Sequence, residues 1–300
     1  MGMRGVRESA RVGGEESGSS LDAPGPAWTD VPAIIAVMRN DGRANDQLRP
    51  VKITRSFTQT PAGSVLWQQG NTIVLVTASI SQELPPFFKE NKPGGWVTAE
   101  YVMLPGSTPQ RKGWPKIGHT DSRGTEIQRL IGRSLRAVLD LSKIGPHTIA
   151  LDCQVLQADG GTRTACISAA WVALKDAVAK LPREMPGAAK PDATGAIPQP
   201  VPARYDPAYY DPNAAVIDQL AAVSVGVVDG DVRLDLDYFD DSRAGVDMNV
   251  ALTASGRFVE LQGAAENGEG FDRSTMNRLL DLAERGCQGL MGYQIDALGR

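Results

Sequence analysis

Among the 300 residues there are only two histidines and three cysteines. His119 and His147 stand apart without metal-ligand spacing, which excludes a histidine-built metal centre and leaves each a solvent or core role. Cys153, Cys166 and Cys287 are odd in number, far apart and set in apolar surroundings. They form neither a zinc motif nor a disulfide framework, and they read as buried thiols of a reducing compartment. Long apolar runs are missing as well, so no segment reads as a membrane span. Strong charge of one sign is also absent. The formal net charge of −4 argues against a generally basic nucleic-acid coat, while a local arginine cluster remains able to grip a phosphodiester chain. Finally, Met1 to Trp28 lack the apolar core of a secretory signal.

What the chain does contain is a sequence of short strands and a few helices. The Gly-, Ser-, Glu- and Arg-rich stretch 1–37 reads as a disordered N-terminal extension. Val51 to Phe57, Ser64 to Gln68 and Thr72 to Ser79 read as strands, the last two joined by a turn at Gly70-Asn71. Trp96 to Leu104 is another strand, in which Glu100 and Tyr101 read as half-buried strand residues. A polar loop, Pro105 to Arg123, carries Arg111, Lys112, Lys116 and Arg123. Thr125 to Leu141 is amphipathic, with Ile127, Leu130, Ile131, Leu135, Val138 and Leu139 on its buried face. Arg129, Arg133 and Arg136 share another face, either a solvated stripe or a surface toward RNA or a partner subunit. Leu220 to Val228 and Val232 to Tyr238 form a hairpin across Asp229-Gly230. Asp247 to Thr253 and Arg257 to Gln262 form a second across Ser255-Gly256. Ser274 to Arg285 is a helix capped by Asp272 or Ser274 and ended by Gly286, with a weak helix or tail over 290–300. Between the halves lies 182–213, a long Pro- and Ala-rich loop insertion without visible period.

The most informative stretch is Gln157-Ala158-Asp159-Gly160-Gly161-Thr162-Arg163-Thr164. The alternation of Ile149, Leu151, Cys153 and Val155 makes a strand before it. Ile167, Trp171, Leu174, Val178 and Leu181 recur at helical spacing after it. The glycines permit a tight turn and close backbone approach. The helix that follows opens with unpaired N–H groups and an arginine, a combination that suits an anion, most simply phosphate. A Gly-Gly strand-to-helix turn without any ligand fits the same spacing.

The wording of the run from Asp152 to Ala165 resembles the signature of ribonuclease PH, a family of phosphorolytic RNA exonucleases. Four further blocks match that family in order: Asp41-Gly42-Arg43 to Leu48-Arg49-Pro50, Gly95 to Tyr101, Glu126 to Arg136, and Asp241-Ser242 to Asp247-Met248-Asn249-Val250. The resemblance runs from about Met38 to about Gly289 and implies an α+β fold. Two β-rich halves with βαβ-type units would pack around a shared core, forming a 38–289 RNase PH domain. It implies a cytoplasmic homo-hexamer, a trimer of dimers. The enzyme would trim extra nucleotides from the 3′ end of precursor tRNA, with a place in tRNA and rRNA processing. Inorganic phosphate would be the co-substrate, nucleoside 5′-diphosphates the products, and Mg²⁺ a cofactor.

By the same resemblance Arg123, Gly161, Thr162 and Arg163 bind phosphate, Arg111 and Arg133 contact RNA, and Asp241 and Asp247 are the catalytic acidic pair and possible Mg²⁺ ligands. Spacing alone leaves ordinary turn chemistry open for these aspartates. Asp235 and Asp237 alternate with Leu234 and Leu236, which predicts that they face solvent. The family's arginine-rich loop is altered here, with Gly106 and Trp114 where arginines are often found. Two other readings therefore stand beside the enzyme: a weak or inactive RNA-binding ring subunit of an exosome-like assembly, and a small-molecule phosphotransferase using the same cradle.

Overall fold

The computed structural model describes residues 39–86, 88, 94–114, 122–182, 210–266 and 270–299, all within a unit that starts at Met38. The 1–37 extension, His119, Lys116 and most of the 182–213 insertion lie outside the described residues.

The first half is a five-stranded sheet in the order β1-β2-β3-β5-β4. Its strands are β1 (Val51–Arg55), β2 (Gly63–Gln69), β3 (Thr72–Ser81), β4 (Trp96–Met103) and β5 (Thr148–Gln157). β1 stops at Arg55, two residues earlier than its composition predicts, because Ser56 turns to a positive φ of 52°. All neighbours are antiparallel except β4 and β5, which run parallel. Parallel neighbours need a crossover, and helix α1 (Ser122–Arg136) supplies it. This helix starts earlier and ends sooner than its periodicity predicts. Leu139 instead bridges Val216, and Leu141–Ile144 is a separate single turn capped by the Asp140 carboxylate.

The second half is a four-stranded antiparallel sheet, β7-β6-β8-β9. It comprises β6 (Leu220–Val228), β7 (Asp231–Leu234), β8 (Val246–Thr253) and β9 (Phe258–Ala265). The β6–β7 turn has positive φ at both Asp229 and Gly230, the conformation whose twist suits a two-residue hairpin.

Helix α2 (Thr162–Val178) joins the halves and is buried on nearly every side, from Ile167 and Trp171 to Leu174. A helix apolar all round belongs in an interior. Its alanines let strands approach from both sides. At Gly63 of β2 a Cβ would stand 2.0 Å from the Ala173 carbonyl oxygen, so only glycine allows that approach. Both sheets share one apolar core through this helix, and each fully buried Leu or Ile there contributes about 1.5–3 kcal/mol.

The last helix, α4 (Arg273–Leu298), is capped by the Asp272 carboxylate, which accepts from the Thr275 N–H. Gly286 does not end it, contrary to the sequence reading. Gly286 is buried in mid-helix, where a Cβ would lie 2.5 Å from a Leu234 methyl carbon. It serves close packing against β7. No helix among the described residues is long and apolar enough to cross a membrane.

Candidate active site

The turn after β5 carries two left-handed glycines, Gly160 (φ 73°) and Gly161 (φ 63°). At Gly160 a Cβ would sit 2.4 Å from the Leu236 carbonyl oxygen, so the turn lies directly on the second half of the chain. Gly161 is the residue in front of α2 and supplies no side-chain cap. Where Ser, Thr or Asp would place an oxygen, the first-turn N–H groups meet no side chain. The turn itself is firmly tied. The Thr72 hydroxyl donates to the Gly160 carbonyl (2.7 Å) and accepts from the Asp159 N–H (3.1 Å), and Asn71 donates to the Asp159 carboxylate (3.2 Å).

Arg163 is half-buried in the first turn of α2 and donates to Gln262 of β9 at 2.5 Å. Gln262 in turn donates to Glu126 of α1, so one chain of hydrogen bonds links α2, β9 and α1. Arg123 is exposed in the first turn of α1, not ahead of the helix as its sequence suggested.

Asp241 ends the four-residue helix α3 (Tyr238–Asp241), and Asp247 is the second residue of β8. The chain reversal between them brings the two carboxylates together. Asp241 is crowded by protein yet reaches solvent. That crowding first, and the Asp247 charge second, raise its carboxyl above the usual range, although Arg163 and Arg123 pull the other way. Asp247 is half-buried and its Oδ1 has no hydrogen-bond partner. Asp241 thus feels the charges of Asp247, Arg163 and Arg123 together, and Arg163 stands in the first turn of α2. Two carboxylates, one with an unsatisfied oxygen, are the kind of donors a hard cation shares with substrate phosphates, although no group of three His, Cys, Asp or Glu among the described residues would hold an ion by itself.

Asp235 and Asp237 do not face solvent; this corrects the alternation-based expectation. β7 ends at Leu234, Asp235 takes a φ of 54°, and both side chains turn inward, with Asp235 only 1% exposed. The Arg49 guanidinium grips Asp235 in a fork, Nη2 to Oδ1 at 2.7 Å and Nε to Oδ2 at 3.1 Å. Gln69 adds a donor at 2.8 Å, and Arg49 reaches across to the Asp159 carbonyl at 2.5 Å. Burial alone would raise the Asp235 carboxyl, but Arg49 outweighs it and holds Asp235 below the ordinary carboxylate range. Asp240, also buried, is paired with Arg39 (2.5 Å) and Arg233 (2.6 Å). Arg43 is bound to Asp41 and donates to the Asp235 carbonyl at 3.1 Å. Arg49 fastens the glycine turn to the acidic segment, while Arg39 and Arg43 brace that segment from the start of the described chain. Arg43 and Arg49 sit inside the Asp41 to Pro50 block, but nothing local marks them as buried, and sequence reasoning gave them no role.

The expected RNA contacts lie further out. Arg133 is paired with Glu260 of β9 at 2.7 Å, and Arg136 lies over the Trp96 ring while donating to the Val97 carbonyl. With Arg129 and Gln262, Arg133 lines a cleft of about 440 Å³ between α1 and β9. Arg111 and Trp114 are exposed on the loop after β4, and a side chain at Gly106 would meet open space.

Two sheets joined through a buried helix, with a glycine turn on their seam, make a two-part fold. Residues 47–180 match the model of the 3′ exoribonuclease family, domain 1, and residues 218–286 that of domain 2. The chain belongs to this family. It is 51% identical over 261 residues to a ribonuclease PH of Nocardia farcinica, covering 87% of this chain and 92% of that one. It is 49% identical over 262 residues to ribonuclease PH of Corynebacterium glutamicum (87% and 96%) and 49% over 261 residues to that of Mycobacterium tuberculosis (87% and 91%). Among solved structures it resembles a chain of the Archaeoglobus fulgidus exosome with RNA bound to the active site. The TM-score is 0.65 at 20% identity, covering 85% of this chain and 92% of that one. An archaeal exosome core gives 0.61 at 20% identity, covering 87% and 91%. At that identity the likeness is one of fold.

Proposed function

We propose that this protein is a phosphate-dependent 3′→5′ exoribonuclease that trims the 3′ end of precursor tRNA. Inorganic phosphate attacks the phosphorus of the last phosphodiester. The bond to the 3′-oxygen of the preceding nucleotide breaks, and a nucleoside 5′-diphosphate leaves. Arg123 and Arg163 hold the attacking phosphate together with the N–H groups of Gly161 and Thr162, offsetting the charge that builds between two phosphates. Asp247, supported by Asp241, provides a proton for the leaving 3′-oxygen or a carboxylate for Mg²⁺. When bound, Mg²⁺ would neutralise phosphate charge at these two aspartates. Arg133 and Arg111 guide the RNA from further out, and the fold's likeness to exosome chains supports a ring, a hexamer built as a trimer of dimers. What supports this reading is the start of α2, where Gly161 supplies no side-chain cap and Arg163 stands in the first turn, together with the pull of Arg163 and Arg123 on Asp241 beside Asp247.

The second reading, an RNA-binding ring subunit with little activity of its own, is not favoured, since relatives about 50% identical over most of the chain are ribonucleases PH. Incubation with a 3′-extended tRNA precursor, Mg²⁺ and radiolabelled phosphate separates the two. The enzyme puts label into nucleoside diphosphates and trims only when phosphate is present; the inactive subunit binds RNA and yields no label. Arg163→Ala should abolish phosphate-dependent turnover in a folded protein, and Asp247→Asn should lower the rate far more than RNA binding. Equal losses of rate and binding in Asp247→Asn would mark a structural role.

A further inference from the structure

Tyr101 stands on β4 opposite Cys153 of β5, on the sheet face that α2 covers, and it is 8% exposed. Its hydroxyl lies 2.9 Å from Thr162 Oγ1, at the first residue of α2. Two hydroxyls sharing one hydrogen bond place one proton in the bond and leave the other free. Among the described residues the Tyr101 hydroxyl has no other hydrogen-bond partner. If Thr162 donated, the buried phenol proton would be left without an acceptor, which burial penalises. The bond therefore runs from Tyr101 to Thr162. Burial foremost, and then the neighbouring Cys166, raise the phenol and keep it protonated through the whole neutral range, although the hydrogen bond with Thr162, then Arg123 and Arg163, act against this. Since Thr162 accepts from Tyr101, its own proton is left for another acceptor, and the half-exposed Thr162 stands next to Arg163 in the first turn of α2.

We propose that Tyr101 is a positioning residue: by donating to Thr162 Oγ1 it fixes the Thr162 hydroxyl as a donor to an oxygen of the attacking phosphate. The proposal rests on the phosphate-cradle reading and adds to it a side-chain donor set from beneath by a neighbouring strand. It gives Tyr101, otherwise an ordinary half of a strand pair, a part in recognising phosphate and none in recognising RNA.

The test is steady-state phosphorolysis by the intact protein carrying Tyr101→Phe, Thr162→Val, both changes, or Arg163→Ala, with phosphate and RNA varied separately. Tyr101→Phe should raise KM for phosphate about tenfold, the scale of one hydrogen bond to a charged group. KM for RNA should stay within about twofold. Thr162→Val should raise KM for phosphate at least as much, and the double variant should be no worse than Thr162→Val alone, because the tyrosine acts only through the threonine. If Arg163→Ala destroys turnover while Tyr101→Phe leaves KM for phosphate unchanged, the proposal fails and the cradle stands. If Arg163→Ala leaves KM for phosphate unchanged, the cradle itself is wrong. Equal rises in both KM values, or additive effects in the double variant, reduce Tyr101 to packing and overturn the proposal.

Discussion

Replacing Asp235 by Asn tests the buried charge network directly. The native carboxylate receives four donors: the Arg49 backbone N–H (2.7 Å), Arg49 Nε and Nη2, and the Gln69 amide. Asn keeps the shape but offers one acceptor oxygen, turns an NH₂ group toward donors, and leaves a buried guanidinium without its counter-ion. Removing one partner of such a pair costs about 3–5 kcal/mol, or a fall in Tm of roughly 6–20 °C for a chain of this size. Urea unfolding of both proteins at pH 7 measures the gap. Its pH dependence has a definite sign. Arg49 holds the folded Asp235 below its unfolded value near ~3.9. The stabilisation is therefore complete above that value and is lost only as pH falls through the lower native one. The gap should hold constant from pH 7 to about 5 and narrow below about 4. A gap under about 1 kcal/mol at pH 7, the scale of an exposed ion pair, would refute the argument, as would a gap already closed at pH 5.

Two further outcomes follow from the packing and the site. Gly286→Ala should destabilise by about 1–3 kcal/mol in urea unfolding, although alanine favours a helix by up to about 1 kcal/mol, because its Cβ would press on Leu234; a stabilised variant would show that β7 yields. In Asp247→Asn the Asp241 carboxyl should titrate at lower pH than in the unaltered protein, since the Asp247 charge raises it. Carboxyl ¹³C NMR reads this, and an unmoved or rising value would separate the two aspartates.

The strands and the glycine turn were legible because their signals are local. Alternation marks β5, the glycine pair marks the bend, and an arginine stands at the helix start. The fate of Asp235 and Asp237 was not legible. A period of two assigns them to solvent only if the strand continues, and it stops at Leu234 with a left-handed residue. What holds Asp235 inside is Arg49, 186 residues away, Asp237 lies beside Arg43, and no window along the chain contains either pair. Gly286 misled for a related reason. A glycine after Arg285 looks like a helix stop, and only the Leu234 methyl carbon packed against it explains why it sits in mid-helix. The nearness of Asp241 and Asp247 was anticipated from the family resemblance, whereas the Arg163–Gln262–Glu126 chain needed three elements that meet only in the fold.

The separation of Arg49 from Asp235 also has a consequence in time. A ribosome adding about 5–20 residues per second takes roughly 10–40 s to cover those 186 residues. Only in the later part of that interval does the first sheet have both its arginine and its glycine turn, and even then it has no Asp235 to draw the guanidinium inward. Loop closure over such a distance is entropically costly and slow. The glycine turn and the acidic segment should therefore lock together late in synthesis, so that a chain cut short before β7 would hold the turn of the proposed phosphate site without the clamp that ties it to the second half.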